Sequence, residues 1–331
     1  MSVLRSYVLV FEAKEPISYG EESVGLKTIA KRISLYLPED EKVVSIPAIL
    51  GNAVRGVLRD VMSEVFIEEV LKHVEAPEWH AGALVALFSG GLLRTRERAE
   101  RATSGRIAVR VAELLRYILP FSIMGCALPG LMVPSKVKVS VFYPVCEETK
   151  ALIEDLMSEE QIQGNQEIRE KLSKAVDRKV EDLMMEVQLM RKDDTIKIVQ
   201  ISQTRNIRLA GLEEVGIRPS RVESEEEEVR EAVQMLFYRQ ALAPGTLFIG
   251  RVCELMPLRG EELGLLSLSL KRLSAVGGAI ARGFGHIVVH NLPDLEDEER
   301  MFGEFVEENA ETISGLLGRS PDDWVRVSER R

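Results

Sequence analysis

Aromatic residues make up only 5% of this 331-residue chain, and cysteine occurs three times. Cys126, Cys146 and Cys253 lie far apart and are odd in number, so a disulfide framework is excluded and reduced thiols are expected, as in a cytoplasmic protein. No apolar run reaches the roughly 18 to 20 residues that a membrane helix needs. The N-terminal MSVLRSYVLVFEAKEP lacks a small-residue cleavage site and alternates like a strand. CxxC, HExxH, GxSxG and the phosphate-loop GKS/T are all missing, which removes the usual zinc, zincin, α/β-hydrolase and nucleotide-loop chemistries.

The net charge of −10 argues at first against a nucleic-acid partner. The acid is segregated, however. From Asp294 to the end there are twelve acidic and five basic residues, and Glu223–Glu231 holds six Glu against Arg230. Residues 92–116, LLRTRERAERATSGRIAVRVAELLR, carry seven Arg and three Glu. Charge within a Debye length, about 8 Å at physiological salt, decides more than the total.

Periodicity gives the order of elements. SYVLVFEA (6–13) reads as a strand, and 14–46 as a polar loop with a hairpin around ISLYL (33–37). Pro47 opens a helix with apolar positions Leu50, Val54, Val57, Leu58, Val61, Met62 and Val65. ALVALFSGG (83–91) and 107–119 read as helices, 121–134 as a Gly/Pro loop, KVKVSVFYPV (136–145) as a strand, and 147–157 as a helix. Residues 158–222 are polar and read as an insertion, with strands expected at 185–190 and 196–203 and a helix at 224–236. GTLFIGRVCEL (245–255) is a strand, 261–276 a helix and FGHIVVHNL (284–292) a strand. The acidic tail holds one amphipathic helix with Met301, Phe305, Ile313 and Leu316 on its apolar side. The core order is strand, helix, strand, strand, helix, strand: an α+β, ferredoxin-like antiparallel sheet with two helices on one face.

GGAIARGFGHIVV (277–289) places four glycines in nine positions around Arg282. A dinucleotide fingerprint must follow a strand and open a helix; here a helix precedes and a strand follows, so no nucleotide cofactor is implied. What remains is a turn whose bare backbone can lie against an anion, or a helix C-cap and turn with no ligand.

With IPAILGNAVRGVLRD (46–60), ALFSGGLL (86–93), PFSIMGCALPGLMVPSKVKV (120–139), PVCEETKALI (144–153) and LMRKDDTIK (189–197), this loop resembles the RAMP superfamily of CRISPR-associated proteins. The greatest similarity is to the type IV backbone subunit. The resemblance covers residues 1–292 and leaves the acidic extension 293–331 unaccounted for. It implies a non-enzymatic, cytoplasmic subunit that polymerises along a CRISPR guide RNA, in contact with neighbouring copies, other effector subunits and the target nucleic acid. It also implies a helical insertion at about 74–134 and a thumb-like one at about 158–222.

A guide held regardless of its sequence is gripped at phosphates and sugars, which suits backbone N–H groups and basic side chains. The expected RNA-binding residues are Gly51, Asn52, Arg55, Arg59, Arg94, Lys136, Lys192, Gly277, Gly278, Arg282 and Gly283. The first helical turn offers free N–H groups, Arg55 and Arg59 extend its face, and Lys136 and Lys138 share one side of a strand. For each cation the alternative is a solvated or ion-paired surface. No cofactor or metal is expected. His286 and His290 share a strand face about 13 Å apart, too far to grip one metal. Type III relatives cut RNA with an aspartate in the loop after the first strand; only Asp40, within PEDEK, occupies that loop. A guide-directed nuclease using Asp40, and an unrelated enzyme on the same widespread fold, are the competing readings.

Overall fold

The structure, a computed structural model, describes residues 4–24, 27–37, 41–91, 105–128, 131–191 and 235–325. Its strands are β1 (Ser6–Ala13), β2 (Gly20–Val24), β3 (Lys27–Ala30), β4 (Arg32–Leu37), β5 (Lys42–Pro47), β6 (Cys126–Leu128), β7 (Leu131–Val133), β8 (Val137–Val139), β9 (Tyr143–Pro144), β10 (Met184–Arg191), β11 (Met235–Leu242), β12 (Leu247–Glu254) and β13 (Ile287–His290). Its helices are α1 (Gly51–Leu71), α2 (Ala81–Ser89), α3 (Gly105–Tyr117), α4 (Leu119–Met124), α5 (Lys150–Met157), α6 (Glu160–Gln163), α7 (Gln166–Ala175), α8 (Gly260–Arg272), α9 (Glu296–Leu317) and α10 (Pro321–Val325). Among the described residues no helix is long and apolar enough to cross a membrane.

The chain divides into two compact units, one of residues 1–19, 31–184 and 242–331, the other of 20–30 and 185–241. The first unit is built on the sheet β13-β1-β12-β8, with β9 also on β12 and every pairing antiparallel. Taken with α1 and α8, this is the ferredoxin-like order expected from the sequence. Strand alternation sends Tyr7, Leu9, Phe11 and Ala13 into a core with Val54, Leu58 and Met62 of α1 and Leu263, Leu266 and Leu270 of α8. Val8 and Val10 point the other way.

That second sheet face is covered. Ile153, Ile162, Ile168, Leu172 and Val176 close over Val8, Val10, Leu247 and Ile249. β13 pairs only with residues 10–13 of β1, so the start of β1 needs other partners. Gln161 accepts the Val8 N–H at 2.9 Å and donates to the Ser6 carbonyl, and Asn291 donates to the Val8 carbonyl. Of the insertion expected at about 158–222, residues 158–184 thus pack in the first unit and those from 185 fall in the second. The cause is a spaced set of apolar residues inside a polar stretch.

The second unit is a four-stranded sheet, β10-β11-β3-β2, with β11 parallel to β3 and β2 antiparallel to it. The strand expected at 185–190 is β10. The expected strand at 196–203 and most of the helix expected at 224–236 lie outside the described residues, while 235–236 begin β11.

Other expectations shift locally. The 14–46 loop holds β2, β3 and the hairpin β4–β5. Pro47 ends β5, and the helix starts at Gly51 after Ile49 pairs with Phe142. The 121–134 loop contains the end of α4 and the hairpin β6–β7. The strand expected over 136–145 is interrupted into β8 and β9.

The acidic tail packs into the first unit. α9 buries Phe302, Val306, Ala310, Ile313, Leu316 and Leu317, while Met301 is 52% exposed. The apolar stripe is thus rotated from the expected one at its N-terminal half. Four of its acids, Glu296–Glu299, occupy the first turn, where the helix dipole favours negative charge.

Candidate nucleic-acid interface

The glycine segment is the loop of a short antiparallel closure between α8 and β13. Val276 N–H donates to Gly285 O at 2.9 Å and Ile287 N–H to Ser274 O at 2.8 Å, with a bridge between Ala275 and His286. The loop is strapped to the segment that follows β1. Gly278 N–H donates to Ser18 O at 2.8 Å and Gly285 N–H to Pro16 O at 3.0 Å. A Cβ at Gly277 would lie 2.7 Å from Ser18 O, so this close approach needs glycine.

Between these anchors the backbone turns outward. φ is positive at Gly277, Ala279 and Gly283, and Ile280–Arg282 form one 3-10 turn. Ala279 holds a left-handed conformation that a residue with a Cβ adopts only under constraint. Residues Ile280–Gly283 are exposed, whereas Phe284 is buried and fixes the far end. Among the described residues the N–H groups of Ala279, Ile280 and Ala281 have no intramolecular partner, and the Arg282 side chain makes no ion pair or hydrogen bond. The result is an open ledge of main chain, anchored at both ends, with one unengaged guanidinium beside it.

The other expected residues are placed differently. Asn52 is exposed on α1. Gly51 is buried: its missing Cβ leaves room for the Val139 and Ser140 carbonyls. Arg59 is only 8% exposed and donates to Gly125 O at 2.9 Å and Met124 O at 2.8 Å. Arg55 donates to the same Met124 carbonyl. These two arginines hold the C-terminal end of α4, where helix carbonyls lack partners, so both guanidinium groups are already engaged within the fold. Burial, with Arg55 adding to it, draws the Arg59 guanidinium below its ordinary pKa. Lys136 is also engaged, with its ammonium 2.7 Å from Glu262, a wholly buried carboxylate. Lys138 of β8 is exposed. Arg94, Lys192 and Asp40 lie outside the described residues. The structure thus brings Gly277, Gly278, Arg282 and Gly283 together and separates them in role from the remaining described candidates.

Two residues that periodicity does not single out organise this unit. Ser18 supplies the carbonyl that carries the ledge. Glu262, at the third position of α8, accepts from Ser122 Oγ at 2.5 Å, Lys136 Nζ at 2.7 Å, the Arg259 guanidinium at 3.1 Å and Arg259 N–H at 2.9 Å. Burial pushes its pKa up, but the bonds from Arg259, Lys136 and Ser122 outweigh that and hold the carboxyl below its ordinary value. A glutamate three residues after a helix start is the one sequence signal that pointed to it.

Among the described residues no three His, Cys, Asp or Glu side chains are grouped to hold a metal. Burial pushes the Cys126 and Cys146 thiols up to about 12 and about 11, so neither is a thiolate near neutral pH. His290 Nε2 lies 2.9 Å from Glu12, whose carboxyl is held below its usual value by its bond from Lys14 against the opposing effect of burial, with His290 assisting. That pair ties β13 to β1.

No protein-family description matches the chain, and no curated protein matches it. Chains of solved structures that match include one from a structure titled "Type IV-B CRISPR Complex". It is 14% identical, the match covers 86% of this chain and 89% of that one, and the TM-score is 0.46.

Proposed function

We propose that the protein is a non-enzymatic, RNA-binding backbone subunit of a CRISPR effector ribonucleoprotein. It holds single-stranded guide RNA by its phosphates and sugars and lines up with further copies along it. Other effector subunits contact this array, and target nucleic acid reaches it through the guide. The observation that carries this reading is the ledge at 277–283: unpartnered backbone N–H groups and Arg282, tied by hydrogen bonds to the segment that follows the first strand of a ferredoxin-like sheet. Such a surface recognises an anionic spine without reading base edges. The motif pairing of GGAIARGFG with IPAILGNAVRGVLRD supports the same assignment.

A salt titration of single-stranded RNA binding tests it. Arg282→Ala weakens binding and lowers the slope of log K against log salt by roughly 0.7, the value for one phosphate contact on a single strand. The melting temperature is unchanged, because Arg282 is exposed and unpaired. Identical affinity and slope for the variant and the parent would overturn the assignment.

A further inference from the structure

The hairpin β4–β5 has two unlike faces. Ile33, Leu35, Val44 and Ile46 point inward onto the main core. Arg32, Ser34 and Tyr36 alternate with them on β4, opposite Pro47, Ser45 and Val43 on β5. Arg32, Ser34, Tyr36, Val43 and Ser45 are exposed, and Tyr36 and Val43 form a cross-strand pair at 57% and 65% exposure. Among the described residues, Tyr36 is the one aromatic side chain more than a third exposed. In a chain so poor in aromatics, the one left in water stands on a face that also carries an arginine and two hydroxyls.

We propose that this outward face is a base-stacking site for single-stranded RNA, with Tyr36 as the platform. The inference rests on the ledge reading, because it gives the same strand a second contact. The hairpin root and the ledge bracket one short segment: Tyr19 O accepts Lys31 N–H at 2.6 Å, and Ser18 O accepts Gly278 N–H at 2.8 Å. Tyr36 stands four residues beyond Arg32, about 13 Å along the strand, within reach of a few nucleotides. Arg32 donates to Ser45 O at 3.1 Å, so its guanidinium lies across the outward face near the root. Glu41 marks the turn at the other end. A phosphate passing the Arg32 end and a base a few nucleotides along, stacked on Tyr36 beside Val43, would lie on this one face. Every nucleobase has a π-face, so the contact adds affinity without reading sequence.

The test uses the full chain and a fluorescently labelled oligouridylate. Tyr36→Ala weakens binding about 10-fold, with the salt slope unchanged because no phosphate contact is lost. Tyr36→Phe binds like the parent. Tyr36→Trp adds an exposed fluorophore to two packed tryptophans, Trp79 and Trp324, and its emission is quenched as RNA saturates the protein. If the parent binds RNA while Tyr36→Ala binds equally well and Tyr36→Trp is unquenched, the stacking site is refuted and the ledge reading stands. A change in sedimentation without a change in RNA affinity would refute it too, assigning the face to a protein contact. If the parent binds no RNA, the ledge reading and this inference fall together.

Discussion

Replacing Glu262 by Gln removes one negative charge from a side chain that is itself fully buried. In the native protein that carboxylate serves four donors, two of them on the cations Lys136 and Arg259. The amide keeps one accepting oxygen and turns its NH2 toward groups that also donate. Loss of one partner from a fully buried ion pair costs about 3–5 kcal/mol. Here the Lys136 and Arg259 side chains remain 23% and 36% exposed, so water recovers part of that cost. The expected loss is about 2–3 kcal/mol, or roughly 3–5 °C in melting temperature. The pH dependence supplies a second readout. A carboxyl whose folded pKa lies below its unfolded value, about 4.3, contributes stability above that pH and loses it as pH falls through the folded value. The gap between native protein and Glu262→Gln in urea unfolding is therefore widest near neutrality and narrows below about pH 4. A gap under about 0.5 kcal/mol at pH 7, or one that widens toward acid, would refute the account of this site.

Two glycines in α1 should respond in opposite directions. Gly51→Ala drives a Cβ to 2.2 Å from the Val139 carbonyl and costs about 1–3 kcal/mol, whereas Gly56→Ala meets nothing within 4 Å and gains about 0.5–1 kcal/mol; thermal melts compare them directly. Gly264→Ala places a Cβ 2.0 Å from the Glu298 carbonyl, where α8 and α9 meet. It lowers the melting temperature and speeds amide exchange across α9, and unchanged exchange there would show that the acidic helix is not docked.

The core was legible because its elements carry strong periods. The apolar spacing of α1 and the alternation of β1 and β12 fixed the element order, and the order fixed the sheet. The hairpin β2–β3 was missed because GEESV and KTIA are short and polar. The helical cover of the second sheet face was missed because Ile162, Ile168 and Leu172 are scattered among charges. The turn at 277–285 was legible from glycine spacing, which left open whether it faces an anion or only closes a helix onto a strand. The arginines were not. Whether Arg55 and Arg59 face solvent depends on α4, whose carbonyls they hold, and one helix's own sequence does not reveal what packs against it. Lys136 misled for the same reason: its partner, Glu262, is 126 residues away.

Amide hydrogen exchange on the peptide spanning 277–285, with and without single-stranded RNA, tests the central claim most directly. The N–H groups of Ala279, Ile280 and Ala281 lack partners in the free protein and exchange fast. The account predicts that RNA slows them while the already bonded Gly278 and Gly285 change little. Unaltered exchange at 279–281 under saturating RNA would contradict it.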